Sequence, residues 1–139
     1  MDTFAKRYLI VLSAIVAAVT LYSLLGGDKR VDELNTMLAG DSELRDYPYT
    51  FRVISLDNGV ATMASPRSAE VPAMRFLRAA FPELSSTSVD DPAMMAAQQV
   101  LAKKQGRAMQ LVESQLDVKG VRWAIDERWF NEHGVFLDY

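Results

Sequence analysis

The chain has no cysteine, which excludes a disulfide scaffold, a thiolate zinc site, a thiol nucleophile and a lipidated N-terminal cysteine. Its single histidine, His133, excludes a histidine-rich metal site. An excess of basic residues is missing too: 15 Lys and Arg stand against 18 Asp and Glu, a net charge of −3. A nucleic-acid binder would carry a basic patch or stripe instead. Seven glycines and five prolines in 139 residues exclude a collagen-like or low-complexity chain. The length suits one compact domain with a short appendage and excludes a multidomain enzyme. The sequence contains no Walker loop, GxGxxG, GxSxG, HExxH or EF-hand loop, so no residue is assigned a catalytic, cofactor-binding or metal-binding role.

What the chain does have is one long hydrophobic run. From Tyr8 to Leu25 no residue is charged, and only Ser13, Thr20 and Ser23 are not apolar. At 1.5 Å per helical residue the run covers about 27 Å, close to the hydrocarbon thickness of a bilayer. Ten of its residues are Leu, Ile or Val, which together favour insertion by about 3 to 6 kcal/mol. A cleaved secretory signal also begins with Lys-Arg and an apolar core. Here the core ends on Leu24-Leu25-Gly26-Gly27, with leucine where cleavage wants a small residue. A cut after Val16-Ala17-Ala18 would leave an apolar stub. Residues 1–27 therefore read as an uncleaved transmembrane anchor, and residues 28–139 as an extracytoplasmic domain.

Lys6 and Arg7 before the span balance Lys29 and Arg30 after it, so the positive-inside rule gives a tie. The short N-terminal head favours a cytoplasmic N-terminus, which in a bacterium places the C-terminal domain in the periplasm. Within the span, Ser13 with Ala17 and Ala14 with Ala18 form two small-xxx-small pairs, a pattern that lets a second helix approach closely.

The 112 residues from 28 onward carry a net charge of −4. Val31, Leu34, Met37 and Leu38 have helical spacing and end at Gly40. Thr50–Leu56 and Val60–Ala64 flank Asp57-Asn58-Gly59, a strong hairpin signal. Pro72 opens a helix that Pro82 stops, and Asp91-Pro92 opens a second one reaching Leu116. Its stripe is traced by Met94, Ala97, Leu101, Ala108, Leu111 or Val112, and Gln115 or Leu116. Val121–Asp126 alternates as a half-buried strand. Glu127–His133 reads as a short helix closed by Gly134, with Val135–Leu137 as a final strand. The expected fold is α+β: one N-terminal transmembrane helix, then a small, mainly antiparallel sheet, a β-hairpin plus a strand, covered by helices.

Three groups carry candidate chemistry. Asp126, Glu132 and His133 are the densest polar set and are what a hydrolase or metal-dependent enzyme would use. Arg122 and Arg128 are available to neutralise them as a solvated charged edge, and His133 suits a helix C-terminus. Arg67, Arg75 and Arg78 cluster around the start of the Pro72 helix, where an anion, a lipid headgroup or an acidic partner would bind. The aromatics Tyr47, Tyr49, Phe51, Phe76, Phe81, Trp123, Trp129 and Phe130 make a core, with Trp129 the one suited to a partner contact.

The stretches Tyr47-Pro48-Tyr49-Thr50-Phe51-Arg52-Val53, Pro66-Arg67-Ser68, Arg75-Phe76-Leu77 and Val121-Arg122-Trp123 resemble small single-pass proteins of proteobacterial inner membranes. That resemblance implies the location and no activity, so no site residue is carried over. The expected function is a membrane-anchored, non-enzymatic interaction protein. It would be an accessory or assembly subunit of an inner-membrane complex, meeting other membrane proteins and the lipid bilayer but no nucleic acid and no cofactor.

Overall fold

The computed structural model describes residues 2–138, apart from the side chains of residues 23–28. Its longest element is α1, Thr3–Gly40, a single 38-residue helix. Asp2 caps it by accepting from the Phe4 N–H. The apolar run and the Val31–Leu38 stripe are thus two halves of one helix, and no new helix starts after the run. Each glycine at 26 and 27 costs about 1 kcal/mol relative to alanine, yet the helix continues through both.

The two halves meet different surroundings. The segment Thr3–Tyr22 is long and apolar enough to cross a membrane, and none of it is buried within the protein. Further along, Leu34 and Leu38 are fully buried in the core, flanked by Val31 and Met37. The first half is apolar on every side, whereas the second half carries a single apolar stripe that the sheet covers.

That sheet has the order β1-β2-β3. Strands β1 (Val53–Asp57) and β2 (Val60–Ser65) form the expected hairpin. Asn58 and Gly59 both take positive φ, 50° and 82°, as a two-residue turn between right-twisted strands requires. A Cβ on Gly59 would lie 2.9 Å from the Lys119 side chain. Gly59→Ala is therefore expected to cost about 1 to 2 kcal/mol in thermal unfolding, whereas Asn58→Gly should be nearly neutral. Strand β3 (Gly120–Ile125) joins parallel to β2, with Val60 opposite Gly120 and Ser65 opposite Ile125. Parallel neighbours need a long crossover, here supplied by α2 (Ala73–Ala80), a short 3₁₀ turn at Pro82–Leu84, and α3 (Pro92–Glu113).

The other edge of the sheet is sealed by one side chain. The Asn35 carboxamide on α1 accepts from the Val53 N–H (2.6 Å) and donates to the Val53 carbonyl (3.0 Å). It thus takes the place of a neighbouring strand, beside an irregularity in the register between Val53 and Ser55.

Helix α3 runs back along α1. Arg30 pairs with Asp117 (2.7 Å), just beyond the end of α3, and Asp41 pairs with Arg107 (2.9 Å). The two anchors are about 16 Å apart along α1, the later one on α1 meeting the earlier one on the α3 side, so the helices are antiparallel neighbours. The Arg107 guanidinium holds the Asp41 carboxyl below its ordinary pKa, and Arg30 does the same for Asp117.

Two boundaries differ from expectation. Helix α3 stops at Glu113, where Ser114 donates to the Leu111 carbonyl, so Gln115 and Leu116 lie beyond the helix. Leu116 is not part of its stripe but is fully exposed; the buried polar member is Gln105. Val135–Leu137 is not a strand. After α4 (Glu127–Glu132), Gly134 at φ 75° turns the chain, and the Val135 N–H donates to Phe130 O (2.8 Å). That bond closes the helix instead of extending the sheet.

Candidate functional site

The densest polar arrangement is centred on Asp126, the cap residue between β3 and α4. It is not the solvated edge that the sequence suggests. The Asp126 side chain is 2% exposed, and neither Arg122 nor Arg128 pairs with it. Its Oδ2 accepts from Arg52 Nη1 (2.7 Å) and Tyr49 Oη (2.8 Å), and its Oδ1 from the Trp129 N–H (3.1 Å) and Arg52 Nη2 (3.4 Å). Burial alone would raise the carboxyl pKa. The bonds from Arg52, Tyr49 and Trp129 outweigh it and hold the group below its ordinary value. Burial, reinforced by the neighbouring carboxylate, pushes the Tyr49 hydroxyl up. Both oxygens are thus engaged, and an ionised carboxylate with this many donors is a weak proton acceptor.

Arg128 bonds instead to Glu132 (3.0 Å). The His133 ring stacks on Trp129 at 3.9 Å, with Nδ1 2.7 Å from the Trp129 carbonyl. Asp126, Glu132 and His133 therefore each have other partners. Among the described residues no three His, Asp or Glu side chains gather as a set for a metal ion. The node acts as a knot: residues from the Tyr49–Arg52 segment, the end of β3 and α4 are tied at one carboxylate. An open depression of about 250 Å³ beside it is lined by Arg52, Asp126, Arg128, Trp129 and Glu132.

Trp129 is occupied inside the protein. Besides His133 it meets the rings of Tyr49, Phe76 and Phe130. Phe76 and Phe130 are fully buried with Tyr49, so the expected aromatic core is present. Only part of the Trp129 ring faces out.

The three arginines do not share a task. Arg67 Nε donates to Gln105 Oε1 (2.9 Å), and Gln105 Nε2 donates to the buried Ser65 hydroxyl (3.1 Å). Arg78 Nη2 donates to the Thr87 carbonyl (2.9 Å), holding the 85–91 loop. Arg75 makes no side-chain hydrogen bond among the described residues. A shallow groove of about 170 Å³ beside Arg67 is walled by Gln105, Gly106, Met109 and Trp123.

Ser13, Ala14, Ala17 and Ala18 are all exposed on α1, where the described residues offer them no partner. The i, i+4 spacing sets each pair one above the other along the helix.

An apolar groove of about 260 Å³ was not legible beforehand. It is lined by Tyr47, Phe81, Glu83, Leu84, Ala93, Ala97 and Val100, between the 3₁₀ turn and the first half of α3. The Tyr47 Oη is buried without a hydrogen-bond partner among the described residues, and burial pushes its pKa up to about 12. An orphaned buried hydroxyl costs about 1 to 3 kcal/mol until an acceptor arrives. Val100, on the groove wall, lies outside the apolar stripe of α3 and is exposed. Comparison with protein-family models, with curated proteins and with solved structures finds no match for the chain.

Proposed function

We propose that this chain is a membrane-anchored, non-enzymatic interaction protein, an accessory or assembly subunit of an inner-membrane complex. Its N-terminus is cytoplasmic and its α+β domain periplasmic. The observation that carries the reading is α1. One helix combines a segment with no partner inside the protein and a segment that is part of the domain core. Such a helix carries the position of a membrane partner into the domain without a flexible linker. Tyr8 and Tyr22, within the apolar segment, are both exposed.

Two surfaces serve partners in this reading. Ser13, Ala14, Ala17 and Ala18 admit a second helix in the bilayer. The Tyr47 groove accepts an apolar side chain of a partner protein. Purification of the chain in mild detergent should yield a stoichiometric companion. Val100→Asp, on an exposed helix position, should release the companion without changing the melting temperature. A chain that runs alone, or a companion indifferent to both Val100→Asp and Ala14→Leu/Ala17→Leu, contradicts the reading.

A further inference from the structure

The end of α3 points back toward the membrane. Arg30 lies five residues beyond the apolar run, about 7.5 Å along the helix axis. The headgroup layer on each side of a bilayer is about 5 to 7 Å thick. Arg30 bonds to Asp117 through two nitrogens (2.7 and 2.8 Å) and to Gln115 Oε1 (3.2 Å). The loop after α3 is therefore held at headgroup height. Between Gln115 and Asp117 sits Leu116, fully exposed, at a position where a polar side chain would cost nothing. The hairpin turn shares this level, because the Lys119 N–H donates to the Gly59 carbonyl (2.7 Å). Val60 beside that turn is exposed as well.

From these positions we infer that the loop carrying Leu116 is a second membrane contact: Leu116 inserts into the lipid interface beside the helix that spans it. The inference rests on the proposed span. The occupant is lipid, because the loop is tied to α1 where that helix leaves its apolar run. Arg30 is neutralised by Asp117 and Glu33. The contact therefore depends on the apolar side chain and not on anionic headgroups. Its consequence is orientation. With the helix and the loop both seated, the domain cannot tilt freely, and Val100 in the Tyr47 groove stands about 20 Å up α3 from its end at Glu113.

Because the chain lacks cysteine, single-cysteine variants carry one label each without altering any native thiol. Full-length Leu116→Cys, Met95→Cys and Ile15→Cys, each bearing an environment-sensitive fluorophore, are placed in phosphatidylcholine nanodiscs. Expected is loss of most emission at 116 to a headgroup-level lipid quencher and at 15 to an acyl-chain quencher. The label at 95 should respond only to aqueous iodide. Quenching at 15 with a label at 116 that responds only to iodide overturns the second contact and leaves the span standing. No lipid quenching at 15 overturns the span, and the inference with it. Leu116→Ser should widen the distribution of domain tilt, read by the distance from a label at 95 to labelled lipid; an unchanged distribution also overturns it.

Discussion

Asp126→Ala is expected to lower the melting temperature of the α+β domain by about 12 °C or more, since each kcal/mol is worth about 4 to 8 °C in a domain near this size. Three losses coincide at one carboxylate. Helix α4 loses its N-terminal cap, about 0.5 to 2 kcal/mol. The Tyr49 hydroxyl, fully buried, loses its acceptor, about 1 to 3 kcal/mol. Arg52 loses its ion pair, which for a fully buried pair would cost about 3 to 5 kcal/mol. Its side chain is 40% exposed and can recover water, so this term sits at or below the low end of that range. The terms overlap, and a total of about 3 to 4 kcal/mol is expected. Asp126→Asn keeps an acceptor for Tyr49 and for the helix, and should lose about half as much. A variant melting within a few degrees of the parent would show that the knot is not what joins these elements.

The same carboxylate sets the sign of the acid response. Its folded pKa lies below the unfolded value, so its contribution is present above about pH 4 and is lost as the pH falls through the folded pKa. The parent should lose more stability between about pH 5 and pH 2 than Asp126→Asn does, because the asparagine has no proton to take up. Equal losses in the two proteins would contradict the assignment.

Leu12→Arg/Val16→Arg is expected to abolish membrane association while sparing the domain. Each arginine near the centre of a span costs about 2.5 to 3.5 kcal/mol, so two match the whole insertion energy of the run. Neither Leu12 nor Val16 touches the rest of the protein, and both are exposed. The domain's cooperative unfolding should therefore remain near that of the parent. Retention of the double variant in carbonate-washed membranes would contradict the span. A collapse of the domain would show instead that these side chains support its fold.

Much of the architecture was legible because local chemistry and tertiary need agree. Asn58-Gly59 dictates its own turn, Asp91-Pro92 its own helix start, and the alternation of Val121, Trp123 and Ile125 its own strand. What was not legible depends on partners distant in sequence. Asp126 looks like one of several adjacent charges, and only the fold brings Arg52 and Tyr49, more than 70 residues earlier, against it. Asn35 reads as a surface residue until Val53 arrives beside it. Gln105 occupies a buried position because Ser65 and Arg67 meet it there. The Tyr47 groove arises where the 3₁₀ turn and α3 come together, which no periodicity encodes. The parallel arrival of β3 likewise follows from helices crossing over the sheet.

Helix α1 runs as one element from the apolar run into the core. Spin labels on Leu12→Cys and Asp32→Cys, both exposed, measure this directly in nanodiscs by electron–electron dipolar spectroscopy. Twenty residues of continuous helix predict one narrow distance distribution centred near about 30 Å. A broad distribution, or one centred well below that value, would place a hinge at Gly26-Gly27 and contradict the rigid coupling of domain to membrane.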